Sequence, residues 1–332
     1  MVIWTLFAAS VATASPEVAD LQTRCNTGHA EDCRALGGRY LVGAGVDADP
    51  SRGADLLQKA CSEGDAVGCT QLGALHLSGV GVGYAPLKAE ALFTQACTAG
   101  VGEACHYLAS QYLLGIGVDT NPELARAHNL SACQRSVAAA CGHLGGMLEL
   151  GFGYEVNLGD AAKMRARGCD LGDATSCKKL GDIHLHGRGH PVDAKKASEL
   201  YLQACRASEA EGCLALAQLA ARDSIGTAAD LDADAVYARA LELAGPACRS
   251  GSAPSCLTVA EVLWATGRQK EAMAMNQDAA PHLDKQCRGG DFTACLTLAD
   301  LIERDQGVAP SETRVDALRQ QACRLGVKAH CR

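Results

Sequence analysis

Residues 61–69 read CSEGDAVGC and place two cysteines eight positions apart, with a glycine between them. The same spacing recurs nine times and uses all 18 cysteines of the 332-residue chain. The nine pairs are Cys25/Cys33, Cys61/Cys69, Cys97/Cys105, Cys133/Cys141, Cys169/Cys177, Cys205/Cys213, Cys248/Cys256, Cys287/Cys295 and Cys323/Cys331. The first cysteines of the first six pairs are 36 residues apart, and the later steps are 43, 39 and 36 residues. A period of this length is typical of helix-turn-helix repeat proteins.

The residues between the cysteines repeat as well. Counted from the first cysteine of a unit, offset 3 is glycine in most units, offset 8 is the second cysteine, offset 11 is leucine or valine, and offset 12 is glycine or alanine. Offsets 8, 11, 12 and 15 share one face of a helix, which we call helix A. Glycines at offsets 18 and 20 end helix A in the first five units. A second apolar stretch, such as PLKAEALFTQAC at 86–97, then leads to the next cysteine and predicts a second helix, helix B.

This geometry predicts a disulfide within each cysteine pair. The first cysteine closes helix B of one unit, the second lies in the first turns of helix A of the next unit, and the chain reverses at the glycine between them. The two Cα atoms can then approach to the roughly 4.4–6.8 Å that a disulfide tolerates. Each bridge closes a short ring and would add about 2.5 kcal/mol by chain-entropy reasoning. Two alternatives stay open: zinc binding, for which this spacing is long, and free thiols in a cytosolic protein.

The first 14 residues, MVIWTLFAASVATA, are apolar, carry no charged side chain and end in a small-x-small motif. These features are typical of a secretory signal peptide, although the usual positive charges are missing and a misassigned start is the alternative. We expect cleavage near Ala14 and a secreted or periplasmic protein, where an oxidising environment would favour disulfides.

The bulk composition excludes several classes of function. A net charge of −8 argues against nucleic acid or an anionic membrane as the main partner. No stretch reaches the roughly 18–20 apolar residues that a membrane span requires. Aromatic residues make up only 4% of the chain, so the core has to be built by close approach of backbones with alanine, glycine and leucine.

We therefore predict an all-α fold, an α/α superhelical solenoid of about eight tetratricopeptide-like helix pairs, stapled by disulfides. Units six and seven lack the Gly-x-Gly turn and are longer than the others. The predicted organisation is a signal peptide at 1–14, an N-terminal capping helix at 15–24, five regular repeats at 25–204, three divergent repeats at 205–322 and a C-terminal disulfide cap at 323–332.

The sequence also resembles a known family. The 36-residue unit, the cysteines eight apart, the leucine with a small residue and the Gly-x-Gly turn occur together in CTQLGALHLSGVGVG at 69–83. This pattern is similar to that of the cysteine-rich, Hcp-type branch of the Sel-one-like repeat proteins, relatives of tetratricopeptide repeats. The resemblance covers roughly residues 25–331 and implies an α/α solenoid with one disulfide per repeat, exported to an oxidising compartment. The family is commonly labelled β-lactamase, whereas other Sel-one-like proteins are adaptors for protein assembly.

Candidate catalytic and metal-binding residues are few. The only S-x-x-K motif of a serine β-lactamase runs from Ser176 to Lys179, and its companions S-D-N and K-T-G are absent. Ser176 also occupies a position that holds glycine or alanine in other units, which favours a packing role. The segment DIHLHGRGH offers His184, His186 and His190, but the first two point apart on a helix. We therefore assign no metal and no cofactor.

The surface of helix A is the better candidate for function. Offsets 10, 13 and 17 lie opposite the core face, with offset 9 flanking them, on the side that lines the concave surface in solenoids of this class. The residues there differ between units, as expected for a groove that reads a ligand and equally for a solvated face without constraint. The predicted binding residues are Arg34, Gln71, His106, Tyr107, His143, Lys179, Asp182 and His186.

Three functions are compatible with these patterns. The leading hypothesis is an exported scaffold whose concave face binds a peptide, a protein or a peptidoglycan fragment of the cell wall. The second is weak β-lactamase activity, with β-lactams as ligands, as the resemblance implies. The third is a rigid spacer that has no ligand.

Overall fold

The computed structural model describes residues 15–153, 155–189, 191–222 and 232–325. The predicted signal peptide at 1–14 and most of the predicted C-terminal cap lie outside these residues. The described residues form 17 α-helices and no strand. The helices are α1 Pro16–Asn26, α2 Ala30–Val42, α3 Pro50–Ser62, α4 Ala66–Ser78, α5 Pro86–Thr98, α6 Gly102–Leu114, α7 Pro122–Gln134, α8 Ala138–Leu150, α9 Leu158–Asp170, α10 Ala174–His186, α11 Ala194–Arg206, α12 Ala210–Arg222, α13 Ala233–Arg249, α14 Ala253–Ala265, α15 Gln269–Arg288, α16 Phe292–Glu303 and α17 Glu312–Arg324. The predicted all-α repeat fold is confirmed.

The chain forms two compact units, which we describe separately. The first contains the described residues up to Leu108 together with Ile116–Val118, and the second contains Ala109–Gly115 and the described residues from Asp119 onward. Even-numbered helices are A helices and odd-numbered helices are B helices. In the first unit α2 packs on α3 and α4 on α5, and in the second unit each A helix from α8 to α16 packs on the B helix that follows it.

Local sequence sets the ends of these helices. Helix α3 begins at Pro50, and the side chain of Asp49 accepts a hydrogen bond from the backbone N–H of Arg52 at 3.0 Å. The same arrangement starts α7, where Asn121 accepts from the N–H of Leu124 at 3.0 Å. Proline at the first helical position and an Asp or Asn cap satisfy N–H groups that have no partner inside the helix.

The reversal between helix B and helix A uses a left-handed residue, as predicted. Gly64 has φ +97°, and its N–H donates to the carbonyl of Cys61 at 3.1 Å. Ser136 and Ser208, which replace glycine at this offset, adopt the same conformation with φ +64° and +65°. The conformation is therefore a property of the repeat and not of glycine alone.

Eight disulfides join cysteines eight positions apart, with Cα–Cα distances of 4.5–4.8 Å. They confirm the predicted pairing for eight of the nine cysteine pairs. Every one of them closes a reversal between a helix B and the helix A that follows it. The bridges are Cys25–Cys33, Cys61–Cys69, Cys97–Cys105, Cys133–Cys141, Cys169–Cys177, Cys205–Cys213, Cys248–Cys256 and Cys287–Cys295.

The second cysteine of each bridge lies in the first turns of helix A, as predicted, and its side chain is buried in the core. The exposed fractions of these residues are only 0–6%, so the sulfurs replace apolar side chains in the packing of helix A. They are Cys33 on α2, Cys69 on α4, Cys105 on α6, Cys141 on α8, Cys177 on α10, Cys213 on α12, Cys256 on α14 and Cys295 on α16.

The ninth pair is described only in part. Cys323 is disulfide-bonded, while Cys331 lies outside the described residues. No free cysteine occurs in the part of the chain that the structure describes. So many intramolecular bridges indicate an oxidising compartment, extracellular or periplasmic.

The core follows the predicted helix A pattern. The bridged cysteines lie beside the leucines at offset 11, and alanine fills much of the remaining interior. In the second unit the rings of Phe152 and Phe292 stack with centroids 5.2 Å apart. No described helix has both the length and the apolar character needed to cross a membrane. Six of the leucines at offset 11 have exposed fractions of only 0–1%: Leu36, Leu72, Leu108, Leu144, Leu216 and Leu298.

The second glycine of the Gly-x-Gly turn joins neighbouring repeats. Gly153 has φ +70°, and a Cβ atom there would lie 2.8 Å from the carbonyl oxygen of Pro122, the first residue of helix α7. Both the backbone conformation and the close approach exclude a larger residue. The turn after helix A therefore packs directly on the start of the preceding helix B.

Gly37 and Gly38 are adjacent on α2, but only Gly37 lies in close contact with α3. A Cβ atom at Gly37 would lie 2.9 Å from the carbonyl oxygen of Gly53 and 3.2 Å from Leu57, whereas nothing lies within 4 Å of one at Gly38. We expect Gly37→Ala to lower the free energy of unfolding by about 1–3 kcal/mol because α2 and α3 must move apart.

The matched control, Gly38→Ala, should raise the free energy of unfolding by roughly 0.5–1 kcal/mol through helix propensity. Both values are measured by denaturant unfolding of the oxidised protein. Equal effects of the two substitutions would contradict the proposed close packing.

Candidate functional site

A groove in the second unit is lined mainly by four consecutive A helices, α10, α12, α14 and α16. One cavity of about 590 Å³ has walls from α10, α12, α14 and α16, and an adjoining cavity of about 620 Å³ has walls mainly from α12, α14 and α16. Five residues line both cavities: Gln218, Arg222, Leu257, Glu261 and Thr297. We call the two cavities together the A-helix groove.

The groove follows the repeat register. Its lining residues fall largely at offsets 10, 13 and 17 from the first cysteine of each unit, which are the offsets expected to face a ligand, and at the flanking offset 9. Each repeat therefore contributes one short stripe of side chains. The stripes are Lys178, Lys179, Asp182 and His186 on α10, Leu214, Ala215, Gln218 and Arg222 on α12, Leu257, Thr258, Glu261 and Ala265 on α14, and Thr297 and Asp300 on α16 with Arg304 directly after that helix.

Lys178 is the centre of a polar network at one end of the groove. Its ammonium lies 3.1 Å from the carboxylate of Asp182 and 3.3 Å from that of Glu211 on the neighbouring A helix. The hydroxyl of Tyr201 donates to the other oxygen of Asp182 at 2.9 Å. Burial by itself would lower the pKa of Lys178, but Asp182 and Glu211 outweigh it, so the pKa is raised.

Tyr201 is held in its neutral form by the same network. Burial raises the pKa of the Tyr201 hydroxyl, and the nearby negative charge of Asp182 raises it further. The hydroxyl therefore stays protonated and continues to donate to Asp182. This hydrogen bond fixes the carboxylate that also pairs with Lys178.

Lys179 differs from its neighbour. It lines the groove but makes no ion pair or side-chain hydrogen bond within the described residues. Burial lowers the pKa of Lys179, and the adjacent positive charge of Lys178 lowers it further. The groove thus contains one lysine that is ion-paired with protein carboxylates and one that is not, although Glu211 and Asp182 partly offset the lowering of the Lys179 pKa.

Glu261 on α14 places a carboxylate in the middle of the groove, in the wall that both cavities share. Glu261 makes no ion pair within the described part of the chain. Partial desolvation raises its pKa, and the like charge of Glu211 adds to the shift.

Three of the eight predicted binding residues lie together in the groove: Lys179, Asp182 and His186. The Nδ1 atom of His186 is 2.9 Å from the carbonyl oxygen of Asp182, so its other nitrogen is directed away from this contact. His143 lies on α8 of the same unit but does not line the groove.

The other four predicted binding residues belong to the first unit. Arg34 pairs with Asp65 at 2.6 Å, and Gln71 is exposed on α4. The ring of Tyr107 stacks on that of Phe93 with centroids 4.9 Å apart. His106 precedes Tyr107 on α6. Arg34 and Tyr107 therefore have structural contacts of their own.

Ser176, the candidate nucleophile, is completely buried with 0% exposure. Its backbone N–H and its hydroxyl both hydrogen-bond to the carboxylate of Asp173, which caps helix α10. A nucleophile has to reach its substrate, and Ser176 does not line the A-helix groove.

The sequence reasoning did not identify the groove residues of the divergent repeats. Gln218, Arg222, Thr258, Glu261 and Arg304 occupy the expected offsets 10, 13 or 17 in repeats that lack the Gly-x-Gly turn, and none of them is among the predicted binding residues. Counting from the cysteines alone would have found them.

The three histidines of the segment at 182–190 are described only in part. Among the described residues no group of three or more His, Cys, Asp or Glu side chains is placed to hold a metal ion. His184 and His186 lie on α10, and His190 is outside the described residues.

The fold and the groove define a class: a disulfide-linked α/α repeat protein with a groove along its A helices. The family profile described as Sel1 repeat matches residues 30–65, 66–101, 102–136 and 174–209, so these four segments of the chain are Sel1 repeats. The comparison with curated protein sequences gives no significant match.

Solved structures share the repeat fold. A Sel1 repeat protein from Oxalobacter formigenes superposes with a TM-score of 0.62 at 22% identity, covering 68% of this chain and 99% of that one. A protective antigen of uropathogenic Escherichia coli that displays an SLR fold gives a TM-score of 0.59 at 20% identity. This chain is covered over 92% of its length in that match but spans only 63% of the antigen. Cysteine-rich protein B of Helicobacter pylori matches 38% of this chain and 91% of its own at 25% identity, with a TM-score of 0.33.

The contrast between Lys178 and Lys179 can be tested by amine acylation as a function of pH. Only the neutral amine reacts, so a lowered pKa shifts reactivity to lower pH and a raised pKa shifts it to higher pH. We expect Lys179 to reach half-maximal acetylation at a lower pH, and Lys178 at a higher pH, than a free lysine amide in the same solution.

The readout is fragment mass spectrometry, which distinguishes the two adjacent lysines in one peptide. Coincident profiles for Lys178 and Lys179 would show that the described network does not separate their charges.

Proposed function

We propose that the protein is an exported scaffold that binds an extended peptide segment, either a free peptide or part of a protein, in the A-helix groove. The observation that carries this proposal is the register of the groove: four successive A helices present different polar side chains at the same offsets. A ligand lying across the helices would meet a new set of groups at each repeat. Concave surfaces of stacked helical repeats are used for extended ligands in this way.

The chemistry of the walls supports a peptide. Leu185, Leu214, Leu219 and Leu257 provide apolar contact beside the charged residues of α10 and α14. Peptide sites combine such apolar surface with a few placed polar groups. Since the described residues contain no strand, main-chain pairing with a sheet edge is not the mode of binding here, and side chains have to supply recognition.

The dimensions of the groove also favour an extended peptide segment over a compact small molecule as the ligand. Each of the adjoining cavities, of about 590 and 620 Å³, has the size of a complete small-molecule site. A ligand that fills both has to extend from α10 to the end of α16. A peptide of several residues meets this requirement, and a peptidoglycan fragment is the competing ligand of similar length.

The compartment that the disulfides indicate also supports the proposal of an exported scaffold. The disulfides indicate an extracellular or periplasmic compartment, and we propose that the segment at 1–14 is the signal that directs export. The interiors of both units depend on bridged cysteines, so the scaffold is suited to an environment in which cysteines stay oxidised.

The geometry does not support β-lactam hydrolysis by the S-x-x-K motif. Ser176 is buried and hydrogen-bonded to Asp173, and the Lys179 side chain of the motif faces the groove. A serine that is enclosed by the packing of α10 cannot attack a ligand carbonyl without local unfolding.

Filling the groove tests peptide binding. Octapeptides selected from a random display library on the mature protein should bind Thr297→Trp at least about tenfold more weakly, because the indole would occupy the shared wall of both cavities. Gln71→Trp is the matched control, since Gln71 holds the same offset on an A helix of the first unit and should leave the affinity within about twofold.

Affinities are measured by titration calorimetry after circular dichroism has shown that both variants are folded. A selection that yields no binder, or equal losses in the two variants, would contradict the proposal. Turnover of a chromogenic cephalosporin that disappears in Ser176→Ala would favour the enzymatic alternative instead.

A further inference from the structure

We infer that the ligand presents a carboxylate to the ammonium of Lys179. This inference depends on the proposed peptide-binding function and specifies the chemistry that the groove recognises. It rests on which charged groups of the groove are already neutralised by the protein and which are not.

Most carboxylates of the groove are engaged within the protein. Asp182 and Glu211 pair with Lys178, at 3.1 and 3.3 Å. Asp291 caps α16 by accepting hydrogen bonds from two backbone N–H groups at 2.9 and 3.2 Å. Asp300 lies 3.9 Å from Arg319 outside the groove. Of the groove carboxylates, only Glu261 has no partner among the described residues.

Most of the lysines and arginines of the groove, in contrast, have no ion-pair partner among the described residues. Lys178 is neutralised by its two carboxylates, but Lys179, Arg222 and Arg304 all line the groove without an ion pair in the described part of the chain. Three cations and one carboxylate of the groove therefore make no ion pair among the described residues. The unpaired cations outnumber the unpaired carboxylate even though the lining as a whole holds five acidic residues and four lysines or arginines.

Among the three cations, Lys179 is the one that a ligand would stabilise most. Arg222 is exposed at the end of α12 and Arg304 is exposed beyond α16, whereas Lys179 is half-buried beside the positive charge of Lys178. A partly desolvated charge gains more from a counter-ion than an exposed one, since water screens it less. A carboxylate reaching Lys179 would also offset the repulsion between the two lysines.

The two protein carboxylates nearest to Lys179 form their ion pairs with the neighbouring lysine, Lys178. Lys178 and Lys179 are adjacent on α10, yet Asp182 and Glu211 are both oriented to Lys178. Asp182 is held there by the hydroxyl of Tyr201. The arrangement leaves the Lys179 side of the groove open to a charge brought by the ligand.

Matched peptide arrays test the inference. One array carries random octapeptides with a central Glu, acetylated at the N-terminus and amidated at the C-terminus, and a second carries the same sequences with Gln in place of Glu. A third carries the Gln sequences with a free C-terminal carboxylate. We expect the mature protein to bind members of the first or the third array at least about tenfold more tightly than their partners in the second.

Two lysine variants connect the preference to Lys179. Lys179→Met should remove the preference for the carboxylate and keep residual binding to the neutral peptides, and it loses no ion pair of the fold. Lys195→Met, at an exposed lysine of α11, is the control and should retain the full preference. Thermal melting of each variant establishes that the fold is intact.

The outcomes separate this inference from the proposed function. A preference for the first array identifies an acidic side chain as the ligand group, and a preference for the third identifies a chain terminus. Equal binding to all three arrays, or a preference that survives in Lys179→Met, would overturn the inference and leave peptide binding in place. Absence of binding to every array would overturn the proposed function itself.

Discussion

The fold depends on the covalent closure of the reversal between one helix B and the next helix A. At every such reversal a left-handed residue turns the chain, and a disulfide joins the residues on either side of the turn, as between Cys61 and Cys69. The closed ring holds each repeat against its neighbour at a fixed distance. This matters because the interior is poor in large side chains: aromatic residues make up 4% of the chain, and alanine and leucine fill most of the buried space.

The same closure produces the groove. When each cysteine pair fixes the start of an A helix, residues at one offset from the cysteines fall on one face in every repeat. In the second unit this aligns Lys179 on α10, Thr258 on α14 and Thr297 on α16 along one surface. The scaffold can therefore vary the groove residues without altering the cysteines, the buried leucines or the turns.

Much of this architecture could be predicted from the sequence, because it depends on local spacing. The disulfide pairing, the buried leucines at offset 11 and the face of helix A that lines the groove all follow from positions within one repeat. Lys179, Asp182 and His186, at offsets 10, 13 and 17 of one repeat, do line the groove. Other features depend on contacts between repeats and could not be predicted. The ion pair of Lys178 with Glu211 joins two A helices, so no motif within one repeat indicates it. Glu261 was missed because its repeat lacks the turn pattern that identifies the regular ones.

Peptide mapping of the mature protein under non-reducing conditions tests the central claim most directly. The account predicts that every linked peptide from Cys25–Cys33 to Cys287–Cys295 joins cysteines eight positions apart. Free thiols at these positions, or links between cysteines of distant repeats, would contradict it.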